Sequence, residues 1–193
     1  MENLKMILEF LRVAEKLKTV KRKIAISDNS RQESPAEHTW RVALMAMVLH
    51  RELHLELDLL KTLEIILVHD LVEAIADDVW ILDKNDVEAA SEKEKREQLA
   101  AEKIYGMLPP KTGSELRSLW DEYESSGSEE AKFAKALDKI EVIIQRNDLG
   151  IAHWERSDIH EVLLHWADES VADFLPVAEL WKLVQEELLN QKK

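Results

Sequence analysis

The chain has no cysteine, and that absence removes disulfides, zinc–thiolate centres and thiol nucleophiles together. Glycine and proline are scarce, four of each in 193 residues, which leaves too little turn chemistry for an all-β fold. Long apolar runs are missing as well. None approaches the width of a bilayer, and no basic segment precedes an apolar stretch near Met1–Lys5, so neither a membrane span nor a secretory leader is expected. Positive charge is in deficit. A net charge of −13 argues against a nucleic-acid polymer as partner, because phosphate backbones need a concentrated basic patch. With 46% apolar and 34% charged residues the chain has the balance of a folded globular protein, and the expected location is cytoplasmic.

What the sequence does have is helical spacing. Leu4, Ile7, Leu8, Leu11 and Ala14 mark one apolar face. Ser34-Pro35-Ala36-Glu37 predicts a helix start: a serine N-cap, proline at the first helical position and a glutamate closing a capping box. Val42, Met45, Ala46 and Leu49 continue that helix, and Asp58 caps a third through Leu63, Leu67 and Leu71, ending near Asp77-Asp78. Residues 86–105 predict a mostly exposed helix with Ala90, Leu99 and Ile104 as its sparse contacts, closed at Gly106. Further helices are expected from Ser114 to Glu124, from Ser128 to Gly150, from a capping box at Asp158 and Glu161, and after Pro176. The expected fold is all-α, one domain over 1–193, with a central part at about 34–149 and C-terminal helices at 155–189 packing on it.

One stretch stands out chemically. His69 and Asp70 follow the aliphatic run Ile65-Ile66-Leu67-Val68, and burying such a pair is costly unless something neutralises its charge. On a helix Glu73 shares their face. His38 falls on the first turn of the capped helix, where Trp40 and Val42 suggest a packed, partly dry setting. Asp138 interrupts the apolar series Phe133, Ala134, Leu137, Ile140 and Val142, with Lys139 expected to point elsewhere. Together His38, His69, Asp70 and Asp138 make a mixed nitrogen/oxygen set suited to a divalent ion such as Mn, Co, Fe, Ni or Zn, with positions left open as catalytic sites require. The basic residues Lys16, Lys18, Lys21, Arg22 and Lys23, then Arg31 and Arg41, are mostly solvated surface on this reading. One or two remain to face an anionic small molecule.

The words Glu33-Ser34-Pro35-Ala36-Glu37-His38-Thr39-Trp40, Leu67-Val68-His69-Asp70-Leu71-Val72-Glu73 and Ala136-Leu137-Asp138-Lys139 carry a resemblance. In that order they resemble the H…HD…D signature of the HD-domain metal-dependent phosphohydrolases, and most closely their 5′-deoxynucleotidase branch, also called YfbR-like or oxetanocin-like. The similarity runs through most of the chain, including Arg117 to Tyr123. It implies a helical bundle with the metal between central helices, a homodimer, and hydrolysis of the phosphomonoester of nucleoside 5′-monophosphates with a preference for deoxyribose.

By the same resemblance Glu73 and Asp78 serve the chemistry. Glycine commonly precedes the second acid in that branch, whereas Asp77 stands here, so the role falls to Asp77 or Asp78. Upstream, the branch carries an Arg-Trp pair on phosphate and sugar; the matching positions here are Lys23 and Ile24. Lysine holds a phosphate as a point charge without arginine's bidentate fork. Lys23, Arg22 or Arg31 is therefore the expected phosphate contact. Other nucleotides or phosphoesters as substrate, and a non-catalytic nucleotide-sensing metal protein, are the alternative readings.

Overall fold

The computed structural model describes residues 1–78, 87–150 and 157–191. Nine α-helices are named here: α1 (Glu2–Ala14), α2 (Pro35–Glu52), α3 (Leu59–His69), α4 (Glu73–Ala76), α5 (Val87–Tyr105), α6 (Pro110–Glu124), α7 (Glu129–Leu149), α8 (Ser157–Asp173) and α9 (Ala178–Gln191). Short 3-10 turns at Glu15–Lys18 and Leu175–Val177 lead out of α1 and into α9. Among the described residues the only β pairing is the bridge between Ala25 and Gln32.

Helix starts follow the cap chemistry. The Ser34 hydroxyl accepts from the Glu37 backbone N–H at 3.4 Å while the Glu37 carboxylate accepts from the Ser34 N–H at 3.0 Å, closing the box that fixes where α2 begins. Asp58 caps α3 by accepting from the Lys61 N–H at 3.1 Å, and Ser128 caps α7 through Ala131 at 3.2 Å. Pro110 opens α6 four residues before the expected Ser114. The side chains of Asp158 and Glu161, expected to box the start of α8, lie outside the described residues, as does Trp154.

α7 is the centre of the molecule. It packs against α2, α3, α6, α8 and α9, and Phe133, Leu137, Ile140 and Ile143 are fully buried on it. α3 lies between two apolar clusters, which explains its unbroken aliphatic run. Ile65 and Ile66 enter the cluster around α7, Val68 enters the one formed with Phe10, Ile104 and Trp120, and only Leu67 faces solvent. On α5 the contacts are Ala100, Ala101, Ile104 and Tyr105, whereas Ala90 and Leu99 are exposed. Of the three expected contacts Ile104 is buried, while the places of Ala90 and Leu99 are taken by Ala100, Ala101 and Tyr105.

The third predicted helix is not continuous. α3 stops at His69, Asp70 takes φ −95° and ψ 3°, and α4 restarts only at Glu73. The interruption falls on the chemistry-bearing residues.

Candidate metal centre

α2, α3 and α7 converge on His38, His69 and Asp138, whose ligand atoms lie within 4.8 Å of one another. His38 is fully buried. Its Nδ1 lies 2.7 Å from Glu141 Oε2 and its Nε2 lies 3.0 Å from Asp138 Oδ1. Burial and Arg22 oppose a charge on this ring, but Glu141 and Asp138 outweigh them and lift it to about 9. An imidazolium satisfies both carboxylates; loss of the Nε2 proton exposes a lone pair toward Asp138 while Glu141 keeps the tautomer fixed.

His69 is set the same way by backbone. Its Nδ1 donates to the Ile66 carbonyl at 2.6 Å, so in the neutral ring it is Nε2 that carries the lone pair. That nitrogen is buried without a hydrogen-bond partner, although Asp70 Oδ1 is 3.2 Å away. A lone pair facing a carboxylate oxygen in a buried site is repulsive unless a cation stands near both. The orphaned nitrogen and the mixed donor set fit a divalent ion.

Around these ligands lies a supporting ring that the sequence did not reveal. Tyr123 donates to Asp138 Oδ2 at 2.7 Å, and Lys139 curls back to the same oxygen at 2.7 Å, contrary to its expected direction. A lysine's four-carbon arm is long enough to reach back to its own neighbour. Burial works against the charge on Asp138, but Lys139 and His38 hold its carboxyl well below the usual range. Arg22 bridges two acids, with NH1 3.2 Å from Asp70 Oδ2 and Nε 3.2 Å from Glu33 Oε2. For Asp70 burial is again outweighed, by His69 and Arg22, and its carboxyl is lowered. Glu33 and Tyr123 lie within the resembling stretches without any role marked for them, and Glu141 stands one turn after Asp138 on α7.

The ligands open onto a cavity of about 390 Å³. His69, Asp70, Glu73, Asp78 and Asp138 line it, with Lys93, Lys135 and Lys139 on its wall. Glu73 is buried with Oε2 unpartnered, and burial, then the charges of Asp70 and Asp78, push its carboxyl up to about 9. Asp78 is raised as well, first by burial. Asp77 turns to solvent and does not line the cavity; its backbone, at φ +60° and ψ 160°, is a conformation that favours glycine.

The expected phosphate contacts separate. Arg22 and Lys23 line the cavity, whereas Arg31 is committed to Glu37 at 2.9 and 2.5 Å on the surface and stands outside it. Ile24 is buried at the cavity edge. Trp40, expected in packed surroundings, is 67% exposed. Trp120 and Trp181 are core, and Trp166 is half-buried on the cavity wall.

Known proteins resemble this chain. The chain is 40% identical over 143 residues to mouse 5′-deoxynucleotidase HDDC2, covering 74% of this chain and 69% of that one. It is 38% identical to the human protein of the same name over 143 residues, covering 74% and 67%. The crystal structure of a predicted metal-dependent phosphohydrolase from Magnetospirillum magnetotacticum superposes with a TM-score of 0.79 at 31% identity, covering 97% of this chain and 96% of that one. Residues 14–176 match the model of the HD domain, and the chain belongs to the HD-domain family.

Proposed function

We propose that this protein, a metal-dependent hydrolase of the HD family, cleaves the phosphomonoester bond of nucleoside 5′-monophosphates, deoxyribonucleotides among them. The observation that carries the reading is the convergence of the orphaned His69 Nε2, Asp70 and Asp138 with an unpartnered Glu73 oxygen on one lysine-walled cavity. The mouse and human relatives are named as 5′-deoxynucleotidases, which supports the substrate class.

His38, His69, Asp70 and Asp138 would hold a divalent ion of the Mn, Co, Fe, Ni or Zn type, which supplies Lewis-acid polarisation and a more acidic water when bound. The protein's own groups do the rest. Lys93, Lys135, Lys139 and Lys23 neutralise the phosphate, and Arg22 already stands at Asp70. Glu73 takes the proton of the attacking water. Burial holds its carboxyl up, and the part of the shift due to Asp70 and Asp78 falls away once their charge is neutralised, which makes it more available as a base. Asp78, raised by burial and so carrying a proton more readily, gives it to the departing 5′-oxygen. One P–O bond forms to water oxygen as the P–O bond to the nucleoside breaks.

The test is phosphate release from ribo- and deoxyribonucleoside 5′-monophosphates after chelation and addition of each divalent metal in turn. Release that depends on a metal is expected, and Asp70→Ala should lose metal binding and turnover together. Release from no monophosphate under any metal overturns the proposal. A homodimer belongs to the same reading and is checked by sedimentation. Among the described residues no helix is long and apolar enough to cross a membrane.

A further inference from the structure

We infer that Trp166 is the platform on which the base of the substrate stacks. The inference rests on the nucleotide reading above. The cavity has two unlike ends, and α7 runs along both. Lys135, Asp138, Lys139 and Val142 follow one another at positions i, i+3, i+4 and i+7, so a single face of α7 lines the wall. From Asp138 the wall is ionic toward Lys135 and apolar toward Val142. Four residues of helix separate Asp138 from Val142, ~6 Å at 1.5 Å per residue, about what a pentose ring places between a phosphate and its base.

At the apolar end α7 meets α8. Leu163, Trp166 and Ser170 lie at i, i+3 and i+7 on α8 and face the cavity together. Ile24 and Val142 complete that end, and both are buried. Trp166 is only partly buried and leaves indole surface toward the cavity. Few groups here can read a base edge. Glu169 is held by His165 at 2.9 Å, which leaves the Ser170 hydroxyl as the free polar contact at this end among the described residues. Every base presents a π face, so stacking without edge contacts binds without discriminating.

The experiment compares Trp166→Leu, Trp166→Ala and Trp166→Phe with the native protein, all metal-loaded. The substrates are the four common deoxynucleoside 5′-monophosphates and 2-deoxyribose 5-phosphate, which keeps phosphate and sugar but lacks a base. Trp166→Leu retains apolar bulk beneath α8 and removes the aromatic face, so it reports on stacking even if Trp166→Ala fails to fold. The native protein should turn over the four nucleotides with kcat/KM values within about tenfold of one another. Trp166→Leu should raise KM about tenfold or more for all four at little cost to kcat, Trp166→Phe should restore most of it, and deoxyribose 5-phosphate should be indifferent. An unchanged KM for the nucleotides in Trp166→Leu overturns the inference and leaves the hydrolase reading intact. An equal loss for deoxyribose 5-phosphate also overturns it, because Trp166 would then only support α8. No turnover of any substrate by the native protein overturns both.

Discussion

Asp77 and Asp78 are neighbours with opposite fates, and the difference is made by one backbone angle. At φ +60° Asp77 sits where an L side chain is strained, and its carboxylate is left in solvent while Asp78 enters the cavity. Glycine relieves that conformation by about 1–3 kcal/mol, against about 1 kcal/mol of extra chain entropy when unfolded. Asp77→Gly is therefore expected to raise stability by about 1 kcal/mol in urea titration and to leave turnover near native. Asp78→Asn should slow turnover at least a hundredfold with the fold intact. Tyr123→Phe tests the supporting ring: losing the O–H on Asp138 should cost about 2 kcal/mol of stability, and metal affinity, measured by competition with a chelating dye, should fall ten- to a hundredfold. The proposed ligand residues were legible because their types are expensive to bury and recur in a fixed order. The roles of Tyr123, Glu141 and Glu33 were not, since a tyrosine or glutamate has no chemistry of its own until packing aims it. Lys139 misled for the opposite reason, its arm being long enough to defy the angle of its helix position.

The elements were legible wherever caps and periodicity agreed, as at Ser34, Asp58 and Ser128. They were misread where a tertiary demand prevailed. Nothing local stops α3 at His69: the following residues carry neither proline nor glycine, and the spacing invites a helix to Asp77. Around the break Val68, Leu71 and Val72 enter the cluster beneath α1 and α5 while Asp70 and Glu73 enter the cavity. At the other end of α3, Lys61 ties three helices, 2.6 Å from Glu122 on α6 and 3.4 Å from Glu130 on α7. Burial opposes charge on both acids, but the Lys61 contacts and, at Glu130, the backbone N–H of Asp58 hold both carboxyls below their ordinary 4.5. Because the folded values are lowered, this stabilisation is present above the ordinary carboxylate range and is lost as pH falls through the lowered values. Lys61→Met should cost about 1 kcal/mol at neutral pH, allowing for solvent screening. Thermal melts of the two proteins should draw together on acidification below about pH 4.

For the molecule as a whole, the proposed ligands come from three helices packed on one another, so holding an ion would also hold α2, α3 and α7 together. An ion at a hundred times its dissociation constant adds about 2.7 kcal/mol, which for this length moves Tm upward by about 5–10 °C. Chelation should reverse the shift, and Asp138→Asn should abolish it in differential scanning calorimetry. The early end of α3 has one more effect. The carbonyls of a helix's last turn carry roughly half a negative charge. A helix reaching Asp77 would place that pole two turns away, beside carboxylates it can only repel. Ending at His69 brings it to the metal ligands. Part of the charge that would balance an ion here belongs to the peptide backbone, and no side-chain substitution can remove it.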